Sequence, residues 1–175
     1  MCLSCSISLV VSARHLPALV LLALLVAGPG QAACTDAAAP GVVWRRCLLD
    51  GRDFSGVDLS RAQLRDTSLG RARLTGAKLV GADAFSARFV SSDLSGADLS
   101  GAVLRDVDFT RAVLHEAKLV RADLRQARLF RADLRGADLT GANLTGADLS
   151  TARLEGARWT EGERICGAGS VGICQ

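Results

Sequence analysis

The sequence has little of three features that usually point to a function. Neither sign of charge is in large excess, because the chain has 21 Lys and Arg residues and 18 Asp and Glu residues, a net charge of +3. A chain so close to neutral is neither a polyanion nor a strongly basic nucleic-acid-binding protein. Histidine is scarce, with 2 residues in 175. The apolar run from Leu16 to Ala27 is shorter than the roughly 20 residues that a membrane-spanning helix needs.

That apolar run lies in a segment with the layout of a secretory signal. Arg14 and His15 precede the run, and small residues follow it up to Ala33. A charged region, a short apolar region and a small-residue cleavage zone are typical of a signal peptide. We therefore predict that residues 1–33 form a signal peptide, with cleavage before either Ala33 or Cys34. The mature protein would then be exported to the periplasm or the extracellular space, without a transmembrane span.

Two other interpretations of the first residues stay open. A lipid anchor on Cys34 is less favoured, because lipid-attachment motifs usually carry Leu three residues earlier and Gln31 stands there. A single membrane anchor would have to extend back across Arg14, His15 and Pro17. Removal of Arg14 with the signal leaves 21 − 1 = 20 basic and 18 acidic residues, or +2. The mature protein is therefore also almost neutral.

A repeat of five residues dominates the rest of the chain. The 115 residues from Cys47 to Glu161 form 23 consecutive pentads without an insertion. The first position is usually Ala, the second is often Asp and the third is mostly Leu. The exceptions at the third position are Phe54, Ala84, Phe89, Phe109 and Trp159.

This pattern resembles the pentapeptide-repeat family, whose consensus is A-(D/N)-L-x-x, and the resemblance covers about two thirds of the chain. It implies an all-β fold, a right-handed quadrilateral β-helix with one pentad per side and four pentads per coil. Residues 47–161 would form about six coils of this solenoid. The first and third positions would point inward, so that columns of Ala and Leu fill the narrow interior. Peptide groups of stacked coils would pair with each other.

Residues 20 apart should then lie on the same side in adjacent coils. Phe89 and Phe109 are expected to stack in the core, with space provided by Ala84 nearby. At the second position, charges alternate in sign every 20 residues, which predicts ladders of ion pairs between coils. Gly is common at the fifth position, where positive φ would ease a corner. Because Arg, Asp and Glu also occur there, we expect that positive φ is not obligatory at every corner.

The implied fold also bears on the four cysteines that remain after signal removal. Four cysteines allow three pairings. The two ends of the stack would lie more than about 20 Å apart at roughly 4.8 Å per coil, whereas bridged cysteines need Cα atoms within about 7 Å. We therefore expect Cys34–Cys47 and Cys166–Cys174 bridges, which suit an oxidising compartment. A metal site is the alternative, but no His accompanies these cysteines.

Both ends of the repeat are expected to be capped, because an open end exposes apolar core and unpaired backbone groups. Residues 34–46 would form the N-terminal cap, with Trp44 at a third position. Residues 162–175 would form a C-terminal cap, closed by a disulfide and lying over Trp159.

Two outward rows are rich in arginine. Fifth positions on the Phe89 side carry Arg71, Arg111 and Arg131, and a fourth position there carries Phe130. Fourth positions one side away carry Arg65, Phe85, Arg105 and Arg125. These rows, with two exposed Phe residues, are our candidate interaction face for an acidic partner, lipid headgroups or an anionic polymer. The alternative is a solvated face with two stray aromatic residues.

Catalytic motifs are nearly absent. His115 beside Glu116 is the one pairing of its kind in the mature chain. Residues 167–172 match G-x-G-x-x-G, but that dinucleotide fingerprint needs a strand before it and a helix after it. Only three residues follow here, so we interpret it as a tight turn. The Asp columns have Lys and Arg neighbours, which disfavours calcium.

The sequence therefore predicts an exported, non-enzymatic scaffold or interaction module that binds protein, as a monomer or an end-to-end homodimer. The alternative is an envelope-associated protein that binds an anionic surface or polymer through the arginine rows. A polysaccharide-acting β-helix enzyme is a third hypothesis. No cofactor and no nucleic acid are expected. Well-characterised members of the resembled family mimic duplex DNA and bind type II topoisomerases. That role needs a strongly negative surface and a cytoplasmic address, and we do not expect it here.

Overall fold

The computed structural model describes residues 34–175, so the predicted signal peptide lies outside the described residues. Its regular structure is a ladder of single-residue parallel bridges at second positions. Each bridge joins residues 20 apart, from Val43 with Gln63 to Asp138 with Arg158. Four pentads therefore make one turn of the chain, and each turn stacks on the next. In residues 34–175 no helix is long and apolar enough to cross a membrane.

Backbone hydrogen bonds join every coil of the ladder to its neighbours. The third-position N–H of Leu64 donates to the Asp83 carbonyl one coil on, at 2.7 Å. The second-position N–H of Asp83 donates back to the Ala62 carbonyl at 2.9 Å, and the fifth-position N–H of Asp66 donates forward to Phe85 at 3.0 Å. Because this pattern recurs along the ladder, most peptide groups are satisfied without long strands.

Each corner is a four-residue turn with one conformation. The N–H of Ala62 donates to the Leu59 carbonyl at 3.0 Å, and the same bond recurs at successive pentads. Every fifth-position residue from 41 to 156 has positive φ, whether it is Gly or a larger residue such as Arg71 or Glu116, both at 56°. The expectation that positive φ is not obligatory was therefore wrong. A type II turn requires positive φ at its third residue, and strict stacking imposes the same turn at every corner.

The interior is filled by first and third positions. Leu residues such as Leu64 and Leu99 and Ala residues such as Ala97 are fully buried. The rings of Phe89 and Phe109 lie with centroids 5.1 Å apart and planes 24° apart. A narrow coil can hold one small and one large side chain per side, since protein interiors are packed to crystal-like density.

The N-terminal end of the ladder is covered by aromatic rings and by the segment before the first coil. Trp44 is 2% exposed, and its ring centroid lies 5.2 Å from that of Phe54. The sulfur atoms of Cys34 and Cys47 lie 2.01 Å apart, which is bonding distance. Residues before the first coil are thereby tied to a buried first position.

The C-terminal end is covered by a returning segment on two sides of the last coil. Val171 and Ile165 form antiparallel bridges with Arg153 and Arg158. The sulfur atoms of the cysteine pair 166 and 174 lie 2.03 Å apart. On the other two sides the inward residues Leu144 and Leu149 are only half-buried.

Candidate functional site

The two arginine rows lie on adjoining sides of the stack. We call residues Arg65, Phe85, Arg105 and Arg125 the first row, and Arg71, Arg111 and Arg131 the second row. Both rows are outward, because fourth and fifth positions form the corner between two sides.

In the first row, one ring is sandwiched between two guanidinium groups. Arg65 and Arg105 come from the coils on either side of Phe85, and their Cζ atoms lie 4.7 and 5.9 Å from its ring centroid. Arg65 also binds Asp83, with Nη1 3.2 Å from Oδ2. The expectation that Phe85 is exposed was wrong, since it is half-buried. A cation over an aromatic face stabilises both groups, so this part of the row is engaged within the protein.

The last member of the first row is also neutralised internally. Arg125 forms a two-pronged pair with Asp123, with Nε–Oδ1 at 2.8 Å and Nη2–Oδ2 at 2.6 Å. The side-chain hydrogen bond from Arg125 holds the pKa of Asp123 below its ordinary value. Such charge-assisted pairs are among the stronger hydrogen bonds. In the first row Arg65 and Arg125 are therefore paired with carboxylates, whereas Arg105 is exposed and has no acidic oxygen within 4.0 Å among residues 34–175.

The second row is different. Arg131 lies over Phe130 at 5.1 Å, and that ring is half-buried, so the expectation that it is exposed was wrong as well. Arg71 and Arg111 are exposed, and in residues 34–175 neither has an acidic oxygen within 4.0 Å. They line one groove together with Arg88.

Sequence reasoning missed Arg88 as part of this face. It occupies a second position on the Phe89 side, in the coil between Arg71 and Arg111. This placement could be predicted from the residue numbers, because the coil that contains Arg88 lies between the coils of Arg71 and Arg111. The predicted ion-pair ladders pair Arg88 with second-position residues of neighbouring coils and so separate it from the fifth-position row.

The predicted ladders are largely absent, and the second-position carboxylates have another role. Only the pairs Arg73–Asp53 at 3.9 Å and Arg153–Asp133 at 3.6 Å join second positions of adjacent coils in the described part of the chain. The prevailing bond runs within a pentad, as in Asp58 Oδ1, which accepts the fourth-position N–H of residue 60 at 2.9 Å. This is the one backbone N–H that the ladder leaves free.

The local bond explains why Asp or Asn occupies the second position. In Asn143 the amide oxygen accepts the N–H of Thr145 at 3.1 Å, as an Asp oxygen does elsewhere. Hydrogen bonds from the side chain and backbone of Ser55 lower the pKa of Asp53. Hydrogen bonding to the charged form favours ionisation, so these carboxylates are structural acceptors.

The two features with catalytic potential, His115 beside Glu116 and the Gly-rich residues 167–172, do not form one site. His115 Nε2 lies 3.4 Å from Glu116 Oε1, and neither is buried. The Gly-rich residues 167–172 form a turn in which Ser170 N donates to Gly167 O at 3.2 Å. No group of three or more His, Cys, Asp or Glu residues within 34–175 could hold a metal ion.

The geometry defines a class of protein, a β-solenoid built from stacked coils of four pentads each. The residues that vary from pentad to pentad lie mainly on the outer faces of this solenoid. Residues 53–89, 87–126 and 127–158 match the family described as Pentapeptide repeats, in 8 copies. The chain therefore belongs to the pentapeptide-repeat family, whose fold is the right-handed quadrilateral β-helix.

Several solved structures are similar to this chain. A pentapeptide repeat protein from the cyanobacterium Cyanothece 51142 is 26% identical, with 67% of this chain and 90% of that chain covered and a TM-score of 0.41. One from the Arabidopsis thaliana thylakoid lumen is 33% identical over 65% and 69% of the chains, with a TM-score of 0.28. QnrB1, a plasmid-mediated fluoroquinolone resistance protein, is 21% identical over 71% and 73%, with a TM-score of 0.45. No curated protein matches the sequence.

Proposed function

We propose that this protein is an exported, non-enzymatic scaffold that binds an acidic protein partner through its second arginine row. The observation that carries this proposal is a contrast between the rows, in which Arg105 alone of the first-row arginines lacks a carboxylate partner among the described residues. Arg65 and Arg125 are engaged by carboxylates of the same chain, whereas Arg71 and Arg111 have no acidic partner among the described residues. A stiff stack holds these free charges at fixed spacing, which lowers the entropic cost of binding.

Export is supported by the cysteine geometry. Two cysteine pairs lie at bonding distance, and disulfides persist mainly in oxidising compartments. The segments beside these pairs would act as caps for a stack of about six coils. Intact mass of the native protein, with and without reduction, tests this part. We expect a mass without about the first 33 residues that rises by about four hydrogens on reduction. A full-length, reduced cytoplasmic species would contradict it.

Cross-linking in native cells, followed by mass spectrometry, tests the binding face. The test variant replaces Arg71, Arg111 and Arg131 by Gly, which is native at other corners and compatible with positive φ. The matched control makes the same change at three corner arginines on other sides, Arg46, Arg61 and Arg121. We expect the test variant to lose its partner and the control to retain it. Equal retention by both variants would exclude the second row as the binding face.

A second candidate is association with an anionic envelope surface or polymer through the same row. The groove lined by Arg71, Arg88 and Arg111 favours it, because a concave basic site can hold a small charged group as well as a protein side chain. Loss of envelope association in the second-row variant, with folding intact, would support this candidate over a protein partner.

A further inference from the structure

The groove on the Phe89 side has a volume of about 370 Å³ and lies on the N-terminal half of the stack. Arg71 and Arg111 are two coils apart, or roughly 9.6 Å at about 4.8 Å per coil. Ser91 occupies the corner between them, and Arg88 stands across the face in the same coil as Ser91. Three arginines and one small residue, Ser91, thus line the same groove.

The floor of the groove is kept open by a specific local arrangement. Asp50 reaches over one coil and accepts hydrogen bonds from Ser68 Oγ at 2.7 Å and Gly70 N at 2.6 Å. A Cβ at residue 70 would lie 2.8 Å from Asp50 Oδ1, so a side chain there would force this contact apart. Gly70 is also the one glycine at a fourth position between residues 42 and 161. Gly70 lines the groove beside Arg71, and its lack of a side chain adds no bulk there.

The charge of the groove is positive. Arg71, Arg88 and Arg111 are exposed and have no acidic oxygen within 4.0 Å among residues 34–175. The single carboxylate in the lining, Asp50, already accepts two hydrogen bonds. Arg88 also borders a neighbouring groove that contains Asp108, so its side chain lies between an acidic and a basic surface.

We propose that this groove binds a phosphate or sulfate group, and this inference deepens the second candidate function above. Guanidinium groups present planar pairs of N–H donors that match the oxygens of such anions. Three of them around one depression can contact a tetrahedral anion from several directions, which a single surface arginine cannot do. The depression is larger than the anion alone, so the phosphate or sulfate can carry a small organic group.

Isothermal titration of the purified full-length protein with inorganic phosphate and with sulfate tests the site, using chloride at equal ionic strength as the blank. The double change Arg71→Gly and Arg111→Gly should weaken saturable binding at least about tenfold, and Arg88→Ser at least about threefold. Matched controls are Arg61→Gly with Arg121→Gly, and Arg128→Ser, which keep this groove. They should bind within about twofold of the native protein.

Binding to lipid vesicles distinguishes a lipid headgroup from a free ester as the source of the phosphate or sulfate group. Retention on phosphatidic acid vesicles but not on phosphatidylcholine vesicles, together with phosphate binding, would assign a lipid headgroup. Phosphate or sulfate binding without vesicle retention would assign a free ester. The absence of saturable phosphate and sulfate binding, or equal binding by the double variant, would overturn the site. Cross-linking to a protein partner could still succeed in that case, so failure of the anion site and failure of the scaffold function give different results.

Discussion

The two ends of the coil stack contain similar residues but bury them to different extents. At the N-terminal end Trp44 is 2% exposed and packs on Phe54. At the C-terminal end Trp159 is only half-buried, although it occupies the same third position in its pentad. The returning C-terminal segment pairs with two sides of the last coil and leaves Leu144 and Leu149 half-buried on the others.

The difference shows that a repeat does not determine its own ends. Within the stack every coil receives hydrogen bonds and packing from both neighbours. At an end of the stack, hydrogen bonds and packing come from non-repetitive residues. The number of these residues decides how much of the terminal coil is covered. Residues 162–175 pair with two sides of the last coil, whereas a complete coil has four. Among residues 34–175, the C-terminal end of the stack therefore keeps an unpaired edge that the sequence pattern does not reveal.

The largest expected effect concerns the two tryptophans. Trp44→Ala should lower the free energy of unfolding by about 3 to 5 kcal/mol, because it opens a cavity in a closed end. Trp159→Ala should cost less than half as much, since part of that ring already faces solvent. Chemical denaturation of both variants measures the difference. Equal losses would show that the two ends are equally closed.

Leucines one coil apart on the same side allow a closer test. Leu129 is fully buried, and Leu149, 20 residues later, is half-buried. We expect Leu129→Ala to lower the free energy of unfolding by about 2 to 5 kcal/mol and Leu149→Ala by clearly less. The same denaturation assay applies. If Leu149→Ala is as costly as Leu129→Ala, something covers the open edge in solution, and the oligomeric state should then be measured.

The two disulfides should stabilise the two ends by similar amounts, so the ends should differ less in this contribution to stability. Their sequence separations are 13 and 8 residues, and loop-closure entropy gives about 3 and about 2.5 kcal/mol of stabilisation. Replacing either pair by Ala should therefore lower thermal stability by similar amounts under oxidising conditions. Wild-type protein under reducing conditions is the reference. A variant with unchanged stability would mean that the corresponding pair is not bridged.

Corner geometry should be the same at both ends. Arg46, near the N-terminal end of the ladder, and Thr151, near its C-terminal end, have φ of 58° and 60°. Left-handed φ costs a residue with a Cβ about 1 to 2 kcal/mol, and Gly avoids most of this cost. Greater backbone entropy of Gly in the unfolded chain offsets part of the gain. Arg46→Gly and Thr151→Gly should each raise the thermal midpoint slightly and equally, and a decrease in either variant would contradict the turn assignment.

The smallest expected effect is a loss of thermal stability at acidic pH. Hydrogen bonds from Ser55 and Ser150 lower the pKa values of Asp53, near one end, and Asp148, near the other, in the folded protein. A carboxyl with a lower pKa when folded stabilises the protein above its unfolded pKa, and this contribution is lost as pH falls through the folded pKa. We expect a gradual fall in the thermal midpoint below about pH 4.

Asp53→Asn is the matched variant for the acid prediction, because Asn143 shows that an amide oxygen accepts the same backbone bond. The variant should lose part of the acid dependence while keeping its thermal midpoint near neutral pH, because the amide keeps the backbone bond. An unchanged pH profile would show that this carboxyl does not contribute to acid sensitivity.

Much of the fold could be predicted from the sequence, but less of the candidate site. The interval of 20 residues predicts that Phe89 lies beside Phe109, and it predicts which Arg residues share a column. It does not predict which acceptor a long side chain will choose. Arg125 has a carboxylate two residues away within reach, whereas Arg71 does not. That choice depends on side-chain rotamers and on competing acceptors, which a periodic pattern does not specify.

The sequence by itself determined which residues face inward, because small and large apolar residues recur at a strict interval of five. The coil of four pentads, and with it the stacking register of 20 residues, was expected from the resemblance to the pentapeptide-repeat family. Only the tertiary structure decided the left-handed corners, the local bonds of second-position Asp residues, and which arginines of the two rows are paired with carboxylates. These depend on neighbours that meet across coils, where geometry and competition for hydrogen bonds decide the outcome.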